Sequence, residues 1–197
     1  MSVPAGRREQ SRFEAAHQFY KLRDEVTYLI MMDFGFSKEK YEKQIERYAQ
    51  AHRCATNIDD VVARYREKCE RFQAKFIDKE ADAVLEILRK IESEFSAGNA
   101  IHPADDNPAK IMEYCLRRKH MDEAISQCFV LKQELQYIIR TLPVDMNKFT
   151  RFAEAIDLQI SLYKGVRQTD NRFLKPSKPK KPFNKPKASE VFTSEAL

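Results

Sequence analysis

Glu14 and His17 stand three residues apart, the Glu-x-x-His spacing by which a bundle helix turns two metal ligands to one face. A di-iron centre needs that motif on two helices, with further carboxylates from the other two. His52, His102 and His120 have no glutamate three positions earlier, so no metal or other cofactor is expected, and His17 reads as a partly buried helix residue. Cys54, Cys69, Cys115 and Cys128 form no C-x-x-C pair and lie too far apart to suggest a zinc ligand pair. Three of them fall on apolar helix faces, and they read as buried, reduced thiols. Cys115 or Cys128 with His120 would supply a nucleophile and its base, but nothing in the sequence fixes that geometry. Gly6, Gly35, Gly98 and Gly165 cannot be assembled into a phosphate-cradling loop. The expectation is a protein that is not an enzyme, with no catalytic residue to name.

The remaining chemistry is cationic. Between Lys164 and Lys187 there are nine Lys or Arg and one Asp, residues 188–197 carry Glu190 and Glu195, and residues 1–163 are close to neutral. Arg167, Arg172, Lys175, Lys178, Lys180, Lys181, Lys185 and Lys187 are interleaved with Phe173 and Phe183. Such a segment can neutralise phosphates and stack on the bases of a single strand. Read otherwise, its lysine–proline repeats are a linker, or its P-x-x-P spacings (176/179 and 179/182) a peptide ligand. Arg140, Lys148, Arg151 and Lys164 are on or beside the last two helices, expected near the start of this tail; if they line one surface they extend it into one basic strip, and otherwise they are scattered charges on a solvated helix face. Arg117-Arg118-Lys119-His120 is a second cluster, placed at an expected helix end where cations offset the dipole.

The elements that must position these residues are helices. The chain is 33% charged with 4 glycines, against roughly 25% charged for an average domain, and no proline occurs between Pro4 and Pro103. Apolar residues at spacings of three and four predict helices over 9–33 and 38–52, with Ser37 as N-cap, and a break or continuous helix near 54–57. The rhythm of Ile58, Val62, Tyr65, Cys69, Phe72 and Phe76, continued by Val84, Leu88, Ile91 and Phe95, predicts one long helix over 58–95 that needs partners along its length. Ser96-Ala97-Gly98-Asn99 is expected to stop it. Asn107-Pro108 reads as a cap and first helical position, Lys119 to Asp122 as a tight turn, Pro143 as a stop, and Asp145 as the cap of the last helix. The fold class is all-α: an elongated bundle of four or more antiparallel helices over residues 9–168. Residues 1–8 and the Lys/Pro-rich tail 169–197 are expected to be disordered. The N-terminal residues lack a signal-peptide pattern and the longest apolar run, Tyr28 to Met32, is too short to span a bilayer. A cytoplasmic protein without membrane contact is expected.

Asp122-Glu123-Ala124-Ile125, Leu131-Lys132-Gln133-Glu134-Leu135, Phe149 to Ile160 and Leu162-Tyr163-Lys164-Gly165 together resemble the C-terminal half of small bacterial four-helix-bundle proteins. These are the accessory variability determinants of diversity-generating retroelements and the related ribosomal-RNA intervening-sequence proteins. The resemblance covers residues 121–167. It implies an up-down bundle that assembles into a basic ring, binds RNA and associates with a reverse transcriptase. The chain departs from the family in its helices over 58–95 and 108–118, and in Tyr163-Lys164-Gly165-Val166 where the family has an aromatic-rich Gly-Gly-Trp type ending.

Taken together, the sequence points to a nucleic-acid-binding accessory protein, RNA before DNA, that is a homo-oligomer and a possible partner of a reverse transcriptase. The other reading is a helical adaptor that works through coiled-coil-like contacts and its tail, without nucleic acid.

Overall fold

Little between Arg12 and Ala100 opposes helix: the stretch has no proline, and its glycines are Gly35 and Gly98. In the computed structural model, residues 12–103 and 108–174 are described, with backbone only for 171–174. Among them are five α-helices: α1 (Arg12–Met31), α2 (Lys38–Ala51), α3 (Ile58–Ala100), α4 (Lys110–Thr141) and α5 (Met146–Leu174), with a 3-10 turn at Asp33–Gly35. The fold is all-α, as expected. Two expected caps are in place: Ser37 Oγ accepts from the Lys40 amide at 3.4 Å, and Asp145 Oδ1 accepts from the Asn147 amide at 3.2 Å. The stretches expected to be disordered, residues 1–8 and most of 169–197, lie outside the described residues. The start expected at Asn107-Pro108 is corrected: Pro108 is in a turn and α4 begins at Lys110, with Ala109 as its N-cap.

Contacts along the helices give their directions. Glu94 meets His120 and Glu80 meets Glu134 between α3 and α4. Asp122 meets Arg167 and Lys132 meets Asp157 between α4 and α5. Arg12 meets Asp170 and Ala15 meets Gln159 between α1 and α5. In each interface one number rises as the other falls, so neighbours are antiparallel, and α1, α5, α4 and the second half of α3 close an up-down four-helix bundle. Its core stacks Phe19, Leu22 and Val26 of α1, Leu88 and Ile91 of α3, Cys128, Leu131 and Ile138 of α4 and Phe152, Ile156 and Tyr163 of α5, all essentially inaccessible. Each large apolar side chain so buried contributes about 1.5–3 kcal/mol, which is what holds helices of this length in register.

The 43 residues of α3 span about 65 Å, and its first part overhangs the bundle. There α2 lies antiparallel on it: Tyr41 OH donates to the Arg66 carbonyl at 3.3 Å, Glu42 takes a two-pronged ion pair from Arg66 at 2.6 and 2.7 Å, and the rings of Tyr48 and Tyr65 stack at 3.7 Å. The apolar stripe expected over residues 58–72 is therefore only half covered. No residue of α3 before Phe76 is buried, and Phe72 is exposed. Phe13, near the start of α1, is exposed as well.

Three expected breaks are absent, and tertiary packing explains each. α3 continues through Ser96-Ala97-Gly98-Asn99 to Ala100, because Gly98 is a contact point rather than a stop. A Cβ there would lie 2.6 Å from Met121 Cε, 3.3 Å from His120 Cβ and 3.4 Å from the Arg117 carbonyl, so glycine lets α3 lie against α4 without displacing the Met121 methyl. α4 runs unbroken through Lys119 to Asp122, where Met121 and Ala124 are fully buried and favour continued helix over the capping tendency of Asp122. α5 passes the expected boundary at Gln168 and ends at Leu174, drawn on by Asp170, which is buried against α4.

The corner between α1 and α2 is unusual. Asp33, Phe34 and Gly35 have φ of +49°, +56° and +71°, a left-handed run that is unfavourable for a residue as bulky as phenylalanine. Burial of the Phe34 ring offsets a cost on the order of 1–3 kcal/mol. The corner is tied to the α4–α5 connection. The Ser37 amide donates to the Pro143 carbonyl at 3.0 Å, and Lys40 Nζ donates to the Val144 carbonyl at 2.9 Å.

Candidate nucleic-acid interface

α5 begins beside the α1–α2 corner and ends at the opposite end of the bundle. Arg151 and Leu174 are 23 residues apart on one helix, about 35 Å along its axis. Lys148, Arg151 and Arg140, in the last turn of α4, are thus at the far end from where the basic segment leaves, not beside it as expected. They are also on a different face. Sixteen residues separate Lys148 from Lys164, and sixteen separate Arg151 from Arg167, an offset of about 160° around the helix. Of the two arrangements the sequence left open, one basic strip is not formed: the cations fall into two separate groups, because a straight helix carries its charges around as well as along its axis.

The group nearer the tail is largely engaged within the fold. Arg167 forms an ion pair with Asp122, and Lys164 Nζ stands 5.6 Å from the centroid of the Phe129 ring. Arg172 sits in the last turn of α5. Lys175, Lys178, Lys180, Lys181, Lys185 and Lys187 lie outside the described residues. The cluster Arg117-Arg118-Lys119-His120 is in the middle of α4 rather than at a helix end, and three of its members are paired. Arg117 is buried against Asp170, Arg118 faces Asp122 at 3.7 Å, and His120 Nδ1 is 2.8 Å from Glu94 Oε2.

The group at the far end borders a cleft. Tyr28, Leu29 and Met32 of α1, Gly35 and Phe36 of the corner, and Lys148, Arg151 and Phe152 of α5 line a cavity of about 430 Å³, within the roughly 300–1,000 Å³ of small-molecule pockets. Tyr28 is 60% exposed and Phe152 forms the buried floor. The Arg151 guanidinium is 4.7 Å from the centroid of the Phe152 ring, a cation–π distance that holds the charge at the rim. Lys148 packs along the corner, its Cδ 3.9 Å from where a Cβ of Gly35 would be. The left-handed corner therefore shapes one wall of the cleft, and its ties to Pro143 and Val144 hold the two walls together. Arg140 takes no part in it, and its Nε donates to the Gln136 carbonyl of its own helix at 3.2 Å. Lys148 and Arg151 were legible in the sequence as cations. Tyr28, Phe36 and Phe152 do not stand out there, because along the chain each reads only as an apolar position.

The chemistry considered for cysteine and histidine is placed differently. Cys128 is buried, and burial pushes its thiol up to about 12. Cys54 and Cys115 are exposed and Cys69 is half-buried, so the expectation of buried thiols is corrected: Cys128 alone of the four is buried. Cys54 falls in the turn before α3, and the start of α4 turns Cys115 away from the core. His17 is exposed, its ring parallel to Phe13 at 6.3 Å, not partly buried. Among the described residues no group of three His, Cys, Asp or Glu is arranged to hold a metal ion, and no helix is long and apolar enough to cross a membrane. Comparison with protein-family models, with curated proteins and with solved structures finds no match to this chain.

Proposed function

We propose that this is a non-enzymatic, RNA-binding helical protein whose Lys/Arg-rich C-terminal segment neutralises phosphates while the bundle supplies a fixed body. The observation that carries this reading is the division of charge. Nine Lys or Arg against one Asp fall between Lys164 and Lys187, while residues 1–163 are near neutrality. Such an arrangement gives affinity that is electrostatic and steeply dependent on salt. The pairing of Arg167 with Asp122 leaves Lys175, Lys178, Lys180, Lys181, Lys185 and Lys187 as the main phosphate ligands. Thirteen residues beyond Leu174 reach at most about 45 Å, enough in length to run back along α5 towards Lys148 and Arg151. Deleting the tail from Gln168 would remove the buried Asp170, so the test is substitution of those six lysines by glutamine in the full chain. Binding of a labelled single-stranded RNA should then weaken steeply, and the slope of log affinity against log salt should flatten by about 4 for six lost contacts. Unchanged affinity would overturn the proposal.

A second reading, a helical adaptor or self-assembling scaffold, is favoured by one feature. The arm formed by α2 and the first part of α3 leaves Phe72 exposed and buries no α3 residue before Phe76. Mass measurement in solution separates the two readings, since an oligomer indifferent to RNA favours the adaptor.

A further inference from the structure

We infer that the cleft between α1, the α1–α2 corner and α5 takes one nucleotide of a single-stranded RNA, with the base stacked on Tyr28 and its phosphate held by Lys148 and Arg151. This assignment rests on the RNA-binding reading above and adds to it a second contact point, at the end of the bundle remote from the tail.

The cleft suits a flat group joined to an anion. Its lining is mainly apolar and contributes three aromatic rings: Phe152 as floor, Phe36 from the corner, and Tyr28 standing 60% exposed at the mouth. An exposed tyrosine ring beside an open cavity presents a π-face that any base can stack on without sequence preference. The cations occupy one side only, both on α5 and one helical turn apart, so a ligand with charge at one edge is oriented as it enters. Arg151 is further restrained by its position over the Phe152 ring, which lowers the side-chain entropy lost on gripping a phosphate. The walls are preformed. The left-handed residues Asp33, Phe34 and Gly35 and the ties from Ser37 and Lys40 to the α4–α5 connection hold the corner against α5. Backbone strain of this kind persists where the surroundings over-determine it, and it clusters at binding sites. A duplex keeps its bases stacked inward, so the cleft accepts single strands alone.

The test uses the full chain and an oligouridylate of about 20 nucleotides carrying 4-thiouridine, long enough to reach both contact points. Ultraviolet cross-linking followed by peptide mass mapping should place adducts at Tyr28 or Phe36 as well as in the tail. Tyr28→Ala, at an exposed position that leaves folding intact, should weaken single-strand binding about tenfold with an unaltered salt slope and no effect on a duplex of the same length. Lys148→Gln with Arg151→Gln should instead flatten the slope by about 1.4. RNA that binds Tyr28→Ala as tightly as the parent, with adducts confined to residues beyond Leu174, overturns the cleft assignment and leaves the RNA reading standing. Failure of the parent to retain any RNA overturns both.

Discussion

Arg117 of α4 and Asp170 of α5 meet inside the protein, each about 2% exposed, with Nε 2.9 Å from Oδ2. The approach is oblique, so Nε and both carboxylate oxygens lack a well-aligned hydrogen bond. Support comes from the edges: Arg117 Nη1 donates to the Ile101 carbonyl at 3.3 Å, and Arg12 Nη2 stands 3.8 Å from Asp170 Oδ1. Burial raises the Asp170 carboxyl and lowers the Arg117 guanidinium, each opposed by the partner's charge. The pair ties the start of α1 and the C-terminal part of α5 to the body of α4, where the basic segment departs.

Removing one member leaves the other charged and dry. Asp170→Asn should destabilise the protein by about 3–5 kcal/mol, read as a lower urea midpoint. Replacing both with apolar residues of similar volume, Arg117→Met with Asp170→Leu, should recover most of that loss. A single Asp170→Asn variant as stable as the parent would show that the ion pair has no structural role.

Glu80 of α3 and Glu134 of α4 place two carboxyls side by side. Desolvation first, then the hydrogen bond and charge of Glu134, raise Glu80 from 4.5 to about 7, against a small opposing effect of Lys79. A folded value above the unfolded one means that the folded state holds the proton more tightly. Stability from this group is then complete below about pH 4.5 and falls as pH rises through about 7. Glu80→Gln keeps a donor for Glu134 and carries no charge. It should flatten that decline, and its urea midpoint should exceed the parent's above about pH 8. Parallel pH profiles for the two proteins would refute the shared-proton arrangement.

The cysteines should react in an order set by exposure. Cys54 and Cys115 should be alkylated within minutes by iodoacetamide near neutral pH and Cys69 more slowly. Cys128, buried and held up to about 12, should react only as the bundle opens, because the thiolate is the nucleophile. Peptide mass mapping over time gives the order, and early labelling of Cys128 would contradict the core packing.

Helix boundaries set by local chemistry could be read without the structure. Ser37, Pro143 and Asp145 act within a few residues of themselves, and they stand where capping rules and proline geometry put them. Boundaries that depend on a distant neighbour could not. Gly98 has the composition of a helix stop and serves as a close contact with Met121, a use that only the path of α4 reveals. Asp122 looks like a cap, yet it pairs with Arg118 and Arg167 in mid-helix.

The sequence by itself determined an all-helical body and a concentration of cations between Lys164 and Lys187, since periodicity and composition are properties of the chain alone. Which cations share a surface was decided by the tertiary structure. Lys148 and Arg151 lie within twenty residues of Lys164 and Arg167 in sequence but on the other face and towards the other end of α5. They gain Tyr28 and Phe36 as neighbours only because α1 packs antiparallel on α5. The physical reason is that a helix maps sequence onto a direction and an angle, whereas a cleft forms between elements whose mutual placement is set by burial of a shared core.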